Sequence, residues 1–187
     1  MRPLVLVALA QEARYLPADT DLVFTGVGLT AAAVATTRAV LERAPSPEER
    51  AALTVVNLGS VGALGEHHEE VFEPSAVINR DVDEDMLRAL GLRVDNRIEL
   101  GGSGPVLGSG DAFVAGGAAR EALLGRCDVV DMEGFAIAYA CRTLGVRLRM
   151  IKHISDSADE AALDWAALVD RSARALAEAY QELLGGR

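Results

Sequence analysis

The sequence predicts an α/β fold, with helices on both faces of a largely parallel or mixed sheet. Two observations carry the prediction. Short apolar runs of strand length alternate along the chain with longer runs of helical period. The 187 residues are 50% hydrophobic and 25% charged, the composition of a globular protein with a sizeable core. No internal repeat, low-complexity tract or linker interrupts the chain, so residues 1–187 read as a single domain.

The elements follow in order. "LVLVAL", Leu4 to Leu9, reads as a buried strand. Its neighbourhood, "MRPLVLVALAQEA", has the outline of a short signal peptide, but the apolar run is too short to span a bilayer and weak as a secretion core. Asp21 to Thr25 reads as a second strand. "GVGLTAAAVATTRAVLERA" then gives a glycine turn and a helix from about Thr30 to Arg43, and "PSPEER" a solvent loop. "ALTVVNLGS" is another buried strand, ending in a glycine-rich turn that reaches Gly65. "EHHEE" reads as an exposed loop, "SAVIN" as a short strand and "DEDMLRALG" as a short helix closed by Gly91. Glycine turns surround a strand near Val106. "CDVVD" is a strand, Glu133 to Leu144 a helix stopped by Gly145, and "RLRMIKHIS" a strand. The last helix runs from about Leu163 to Leu184, with Val169, Ala173, Leu176, Tyr180 and Leu184 on one apolar face.

Charge and composition narrow the function. A net charge of −10 argues against nucleic acid or an anionic membrane surface as partner, since both call for basic patches. It leaves room for a small anionic ligand in one local pocket. Cys127 and Cys141 lie in apolar surroundings without metal-type spacing and read as buried thiols of a cytoplasmic protein. His67 and His68 stand beside Glu69 and Glu70, but adjacent side chains on an extended loop point apart, which suits an exposed loop better than a metal site. His153 reads as a core histidine within a strand. "GVG" at Gly26 to Gly28 follows the second strand and has Ala31 where a dinucleotide fingerprint has its third glycine, so it reads as a tight turn. Ser109 in "GSGDAF" sits in no nucleophile elbow.

Three acids are the sharper signal. In open α/β sheets, ligands bind beyond the carboxyl ends of strands. Glu12, Glu133 and Asp156 all fall at such ends. Spacing alone also allows a plainer account, with Glu133 complementing a helix dipole and Asp156 and Asp159 capping the last helix.

The wording around these acids resembles the nucleoside phosphorylase and nucleosidase superfamily. "VVDMEGFAIAYACRTLGV" followed by "IKHISDSAD" has its Met-Glu pair opening a helix and its strand ending in Ile-Ser-Asp. "GSGDAFV", "NLGSVGALG" and "GVGLTAAA" resemble further blocks. "ALAQEARYLP" is similar to the N-terminal turn of the methylthioadenosine/S-adenosylhomocysteine nucleosidases. The blocks occur in family order over about residues 3–165. The resemblance implies a three-layer α/β/α sandwich around a central mixed β-sheet and cleavage of the N-glycosidic bond of a purine nucleoside, adenine the expected base. It implies that Asp156 donates a proton to purine N7 and that Glu12 activates water, with Ser60 near that water. Glu133 would bind the ribose hydroxyls with Met132 beneath the sugar. Phe113 would stack on the base, and the Val114 backbone would meet the base edge. Trp165 aligns, across a one-residue gap, with an aromatic at the 5′ side. The resemblance implies no cofactor and no metal, a small-molecule purine nucleoside as partner, and a homodimer.

These residue types fit that chemistry. Breaking the C1′–N9 bond places positive charge on the sugar and negative charge on the base, so an acid at N7 and carboxylates near the ribose both lower the barrier. Phosphorylases of the superfamily usually place an arginine just before the glycine-rich turn and another in the N-terminal loop. This chain has Asn57 at the first position and Glu12 in the second region, with Arg14 close by, which favours hydrolysis. Phosphorolysis, futalosine hydrolysis and non-catalytic nucleoside binding are the alternatives. "MEG" also occurs in the futalosine hydrolase branch, whereas "ISDSAD" fits the methylthioadenosine branch better. The chain is shorter than typical nucleosidases between Gly65 and Gly108, a region that in the family helps form the 5′ pocket and the dimer contact.

Overall fold

In the computed structural model the described residues are 2–65, 70–159 and 165–186, with only the backbone described for 165–167. The histidine loop at 66–69 and the side chain of Trp165 lie outside them. The chain proceeds through β1 (Leu4–Val7), β2 (Leu22–Phe24), α1 (Leu29–Arg43), α2 (Pro47–Ala52) and β3 (Thr54–Ala63). Next come β4 (Val71–Phe72), β5 (Ala76–Asn79), α3 (Glu84–Ala89), β6 (Arg97–Glu99), β7 (Leu107–Ser109) and α4 (Gly117–Glu121). It ends with β8 (Val129–Asp131), α5 (Gly134–Leu144), β9 (Arg147–Asp156) and α6 (Trp165–Gly185).

The strands form one mixed sheet in the order β2-β1-β3-β8-β7-β5-β6, with β9 on the other edge of β3 and β4 beyond it. β2, β1, β3 and β9 are mutually parallel along their pairings, β8 runs antiparallel to β3, and β7 and β5 follow β8 in parallel. Helices cover both faces, and the apolar strands divide their side chains between them as the two-residue period requires. Leu4, Leu6 and Val55 pack with α1 and α5, while Val5, Val7, Val56 and Leu58 pack with α6. Leu6, Leu58 and Leu176 are fully buried, and each such side chain contributes about 1.5–3 kcal/mol.

This topology positions the site. β1 and β8 lie along the same edge of β3 but run toward each other. The last β1 pairing on that edge is Leu6 with Asn57, and the nearest β8 pairing is Val130 with Gly62. Leu58 to Val61 therefore carry no strand on that edge, and the carboxyl ends of β1 and β8 face each other across the gap.

Several elements depart from the sequence reading. "PSPEER" is not a loop but the start of α2, because Ser46 and Glu49 form a reciprocal capping box, with Ser46 N donating to Glu49 Oε2 at 2.8 Å and Glu49 N to Ser46 Oγ at 3.2 Å, and Pro47 opens the helix. β3 continues through the expected glycine turn to Ala63, since β9 pairs with it past Gly59 as far as Gly62, where β8 joins its other edge. The short β4, β6 and α4 were not expected. On α6, Val169, Ala173, Leu176 and Tyr180 are buried as expected, but Leu184 is 37% exposed, and its neighbour Leu183 packs against the core instead. No helix among the described residues is long and apolar enough to cross a membrane.

Candidate active site

The gap along β3 opens into a cavity of about 210 Å³ whose lining includes Leu9, Glu12, Val27, Ser60, Arg80, Phe113, Val114, Met132, Glu133 and Asp156. Glu12 reaches it from the turn after β1. It is 4% exposed and fills the hydrogen-bonding place that a neighbouring strand would take on β3. Its Oε1 accepts from Ser60 N and Ser60 Oγ, both at 3.0 Å, and its Oε2 accepts from Leu9 N at 3.3 Å. Oε2 thus keeps accepting capacity toward the cavity.

Glu133 follows β8 and precedes α5, but it does not cap α5. Its Oε1 accepts from Gly28 N at 2.9 Å, at the start of α1 on a different segment. Beside it, Leu29 N donates to Asp111 Oδ1 at 2.7 Å, so the positive end of α1 holds two carboxylates. Gly28 has φ +94, and a Cβ there would lie 2.8 Å from Asp111 Oδ1, so this turn accepts only glycine without movement. Burial pushes the Glu133 carboxyl up to about 7, Asp131 and Glu12 add to the rise, and the Gly28 N–H and Lys152 oppose it.

Behind Glu133 lies a buried ion pair. Lys152 on β9 is 1% exposed, and its Nζ donates to Asp131 Oδ2 at 2.9 Å. Asp131 Oδ1 accepts from Ser109 Oγ at 2.6 Å, both Asp131 oxygens face Gly134 N, and Ser109 Oγ accepts from Phe135 N at 2.8 Å. Asp131 and Ser109 together cap α5 and fix where Glu133 stands. A Cβ on Gly59 would lie 3.1 Å from Lys152 Nζ and 3.7 Å from Glu12 Oε1, so the ammonium and that carboxylate bracket one point over β3.

Asp156 ends β9 on the opposite side of the cavity. Its Oδ2 accepts from Ser155 Oγ at 2.6 Å and its Oδ1 from Ala158 N at 2.8 Å. With these two bonds it closes a local turn. Phe113, 53% exposed, and the buried Val114 come from the loop after β7. Met132 lies beside Glu133 in the lining. All the sequence-derived site residues whose side chains are described thus converge on one cavity. Among the described residues, no group of three or more His, Cys, Asp and Glu side chains is arranged to hold a metal.

Arg14, the cation weighed for phosphate, does not line the cavity. Its Nη1 donates to Asp170 Oδ1 at 3.1 Å, on α6. Asn57 is buried in β3, with its Nδ2 donating to Leu6 O at 3.1 Å. His153 is fully buried, bonded through Nδ1 to Ser172 Oγ at 2.9 Å, and burial pushes its pKa below the usual histidine range. Its Nε2 finds no partner among the described residues, so the expected core histidine is half-satisfied. Cys127 and Cys141 are buried and free. Sequence reasoning missed Lys152, Asp131 and Arg80. The available signals were a lysine amid the apolar run "RMIKHI" and an arginine directly after the strand "SAVIN".

Residues 103–185 match the family model of the Phosphorylase superfamily. The chain resembles this superfamily in sequence over that stretch. A curated relative, aminodeoxyfutalosine nucleosidase from Helicobacter pylori, is 31% identical over 120 residues, which cover 63% of this chain and 52% of the relative. The match thus spans about half the length of that relative. Among solved structures, a mutant of the H. pylori methylthioadenosine nucleosidase with 5′-methylthioadenosine in its active site superposes with TM-score 0.79 at 19% identity, covering 98% of this chain and 97% of that one. A futalosine hydrolase mutant of H. pylori superposes with TM-score 0.77 at 20% identity, covering 98% of each. At these identities the structural likeness is one of fold, the α/β/α sandwich around a mixed sheet.

Proposed function

We propose that this chain hydrolyses the N-glycosidic bond of a purine nucleoside, releasing the free base. The observation that carries the proposal is the meeting of Glu12, Glu133 and Asp156 around one cavity beside Phe113. In this reading the base stacks on Phe113 and meets the Val114 backbone, and Asp156 delivers a proton to N7. The ribose lies over Met132, with its hydroxyls on Glu133. Glu12, steadied by Ser60, orients water and takes its proton as the sugar gains oxocarbenium character.

Water rather than phosphate is the attacking group in this proposal. Arg14 is engaged by Asp170, and the only cation among the described residues lining the cavity, Arg80, is bonded to loop carbonyls. A phosphate dianion would meet Glu12 without a free counter-cation. The substrate class is an adenine nucleoside with a 5′ substituent, such as methylthioadenosine or S-adenosylhomocysteine. Aminodeoxyfutalosine is a second reading, favoured by the name of the 31%-identical relative. The test is base release from these three nucleosides, with and without phosphate. Release in phosphate-free buffer is the expected result, and the relative kcat/KM values identify the preferred 5′ group.

A further inference from the structure

We propose that Arg80 is a positioning residue for the base subsite, holding the 110–112 backbone and so setting the loop that presents Phe113 and Val114; the assignment of that loop to the base rests on the nucleosidase reading above. Arg80 directly follows β5. Its own backbone is fixed on both sides, its N–H donating to Ser109 O at 2.9 Å and its carbonyl accepting from Arg126 Nη2 at 3.1 Å. Its side chain is 5% exposed and forms part of the cavity wall. Nη2 donates to Gly110 O at 3.0 Å and also to Ala112 O. Nη1 faces Asp81 Oδ1 at 3.4 Å, and the other oxygen of Asp81 accepts from Asp111 N at 2.7 Å. Arg80 and Asp81 thus bind three successive loop residues through two carbonyls and one N–H.

The loop has little else beneath it. Asp111, Ala112 and Phe113 are all exposed, so no apolar packing fixes them before Val114 enters the core. The approach is close enough that a Cβ on Gly110 would lie 2.3 Å from Asp81 Oδ1. The loop is tied at its other side through Asp111 to Leu29 N, next to the Gly28 N–H that holds Glu133. Displacement of the loop therefore reaches both the base wall and the sugar-side carboxylate. A planar guanidinium serves this arrangement because it presents several donors in a fixed fork, and charge-assisted bonds are stronger than neutral ones. Lysine keeps the charge but presents its three donors from a single nitrogen rather than from a planar fork.

The test compares wild type, Arg80→Lys and Arg80→Met by amide hydrogen exchange of the ligand-free proteins, calorimetric binding of free adenine, and steady-state kinetics. For Arg80→Met, amides 110–114 are expected to exchange about tenfold faster or more, with β3 and β9 protection unchanged. Adenine Kd and nucleoside KM are expected to rise about 10- to 100-fold, with kcat falling by less than about threefold. Arg80→Lys is expected to recover part of each loss. Wild-type exchange and adenine affinity in a folded Arg80→Met protein would overturn the proposal, as would loss of protection spread evenly over the whole fold. If wild type bound no base and cleaved no nucleoside, the base assignment would fall with the nucleosidase reading, while the exchange result would still decide whether Arg80 holds the loop.

Discussion

Glu133 takes its only hydrogen bond among the described residues on Oε1, from Gly28, and burial holds its proton up to about 7. A carboxylate that binds two vicinal hydroxyls must accept with both oxygens, which the protonated form does less well. Riboside affinity is therefore expected to weaken as pH falls through about 7, by up to about tenfold per unit once Glu133 is mostly protonated, while free adenine affinity changes much less. Glu133→Gln should weaken ribosides over free adenine and flatten this pH dependence; titration calorimetry at pH 6 and 8 measures both. Equal weakening of riboside and adenine would place Glu133 away from the sugar. Asp156→Asn should lose turnover by about 10²–10⁴-fold while substrate binding changes far less, because the proton acts in the transition state. Near-normal kcat in folded protein would remove Asp156 as the acid. The place of Glu133 and Asp156 at one cavity was legible because the wording of "DMEG" and "ISDSAD" resembles family blocks, whereas their position near strand ends alone also allowed a dipole or capping role. Arg80 and Lys152 were not legible, because their roles depend on partners far along the chain, Gly110 and Ala112 for one and Asp131 for the other.

At the scale of elements, the end of β8 is tied to the middle of β9 by the Lys152–Asp131 pair, whose side chains are 2% and 3% exposed. Removing one partner of such a pair leaves an uncompensated buried charge. Lys152→Met is accordingly expected to destabilise the protein by about 3–5 kcal/mol, read as a lower urea midpoint. An unchanged midpoint would mean that Asp131 finds another partner. The long helices α1, α5 and α6 were readable from helical runs, and β3 and β9 from buried apolar runs, although β3 extends beyond the expected turn. α2 was misread because Pro47 and Glu48–Glu49 resemble loop composition, although Ser46 with Glu49 is a helix-start signal. β4 and β6, two and three residues long, carry too few positions for any period, and only their pairing with β9 and β5 makes them strands.

At the scale of the whole molecule, the sheet brings carboxyl ends of oppositely directed strands to one cavity, and the buried Glu133 carboxyl there weakens folding as pH rises. Burial pushes the Glu133 carboxyl up to about 7 in the folded protein, from an ordinary 4.5. Between these values the folded state binds the extra proton, so this contribution to stability is full below 4.5 and is lost as pH rises through about 7. Its size is on the order of 3 kcal/mol. Glu133→Gln should therefore gain stability relative to wild type at pH 8 and lose that advantage near pH 4.5, as compared by urea midpoints at the two pH values. The antiparallel entry of β8 onto β3, which creates the cavity, was beyond reach of the sequence, since strand direction is set by connections and packing rather than by the strand's own residues. The most direct test of the central claim is product identity from methylthioadenosine, S-adenosylhomocysteine and aminodeoxyfutalosine, for wild type and Glu12→Gln, with and without excess phosphate. Free base and free sugar should form at a rate independent of phosphate, and Glu12→Gln should lose most of it. Accumulation of the sugar 1-phosphate with phosphate-dependent turnover, or no base release from any nucleoside, would contradict the account.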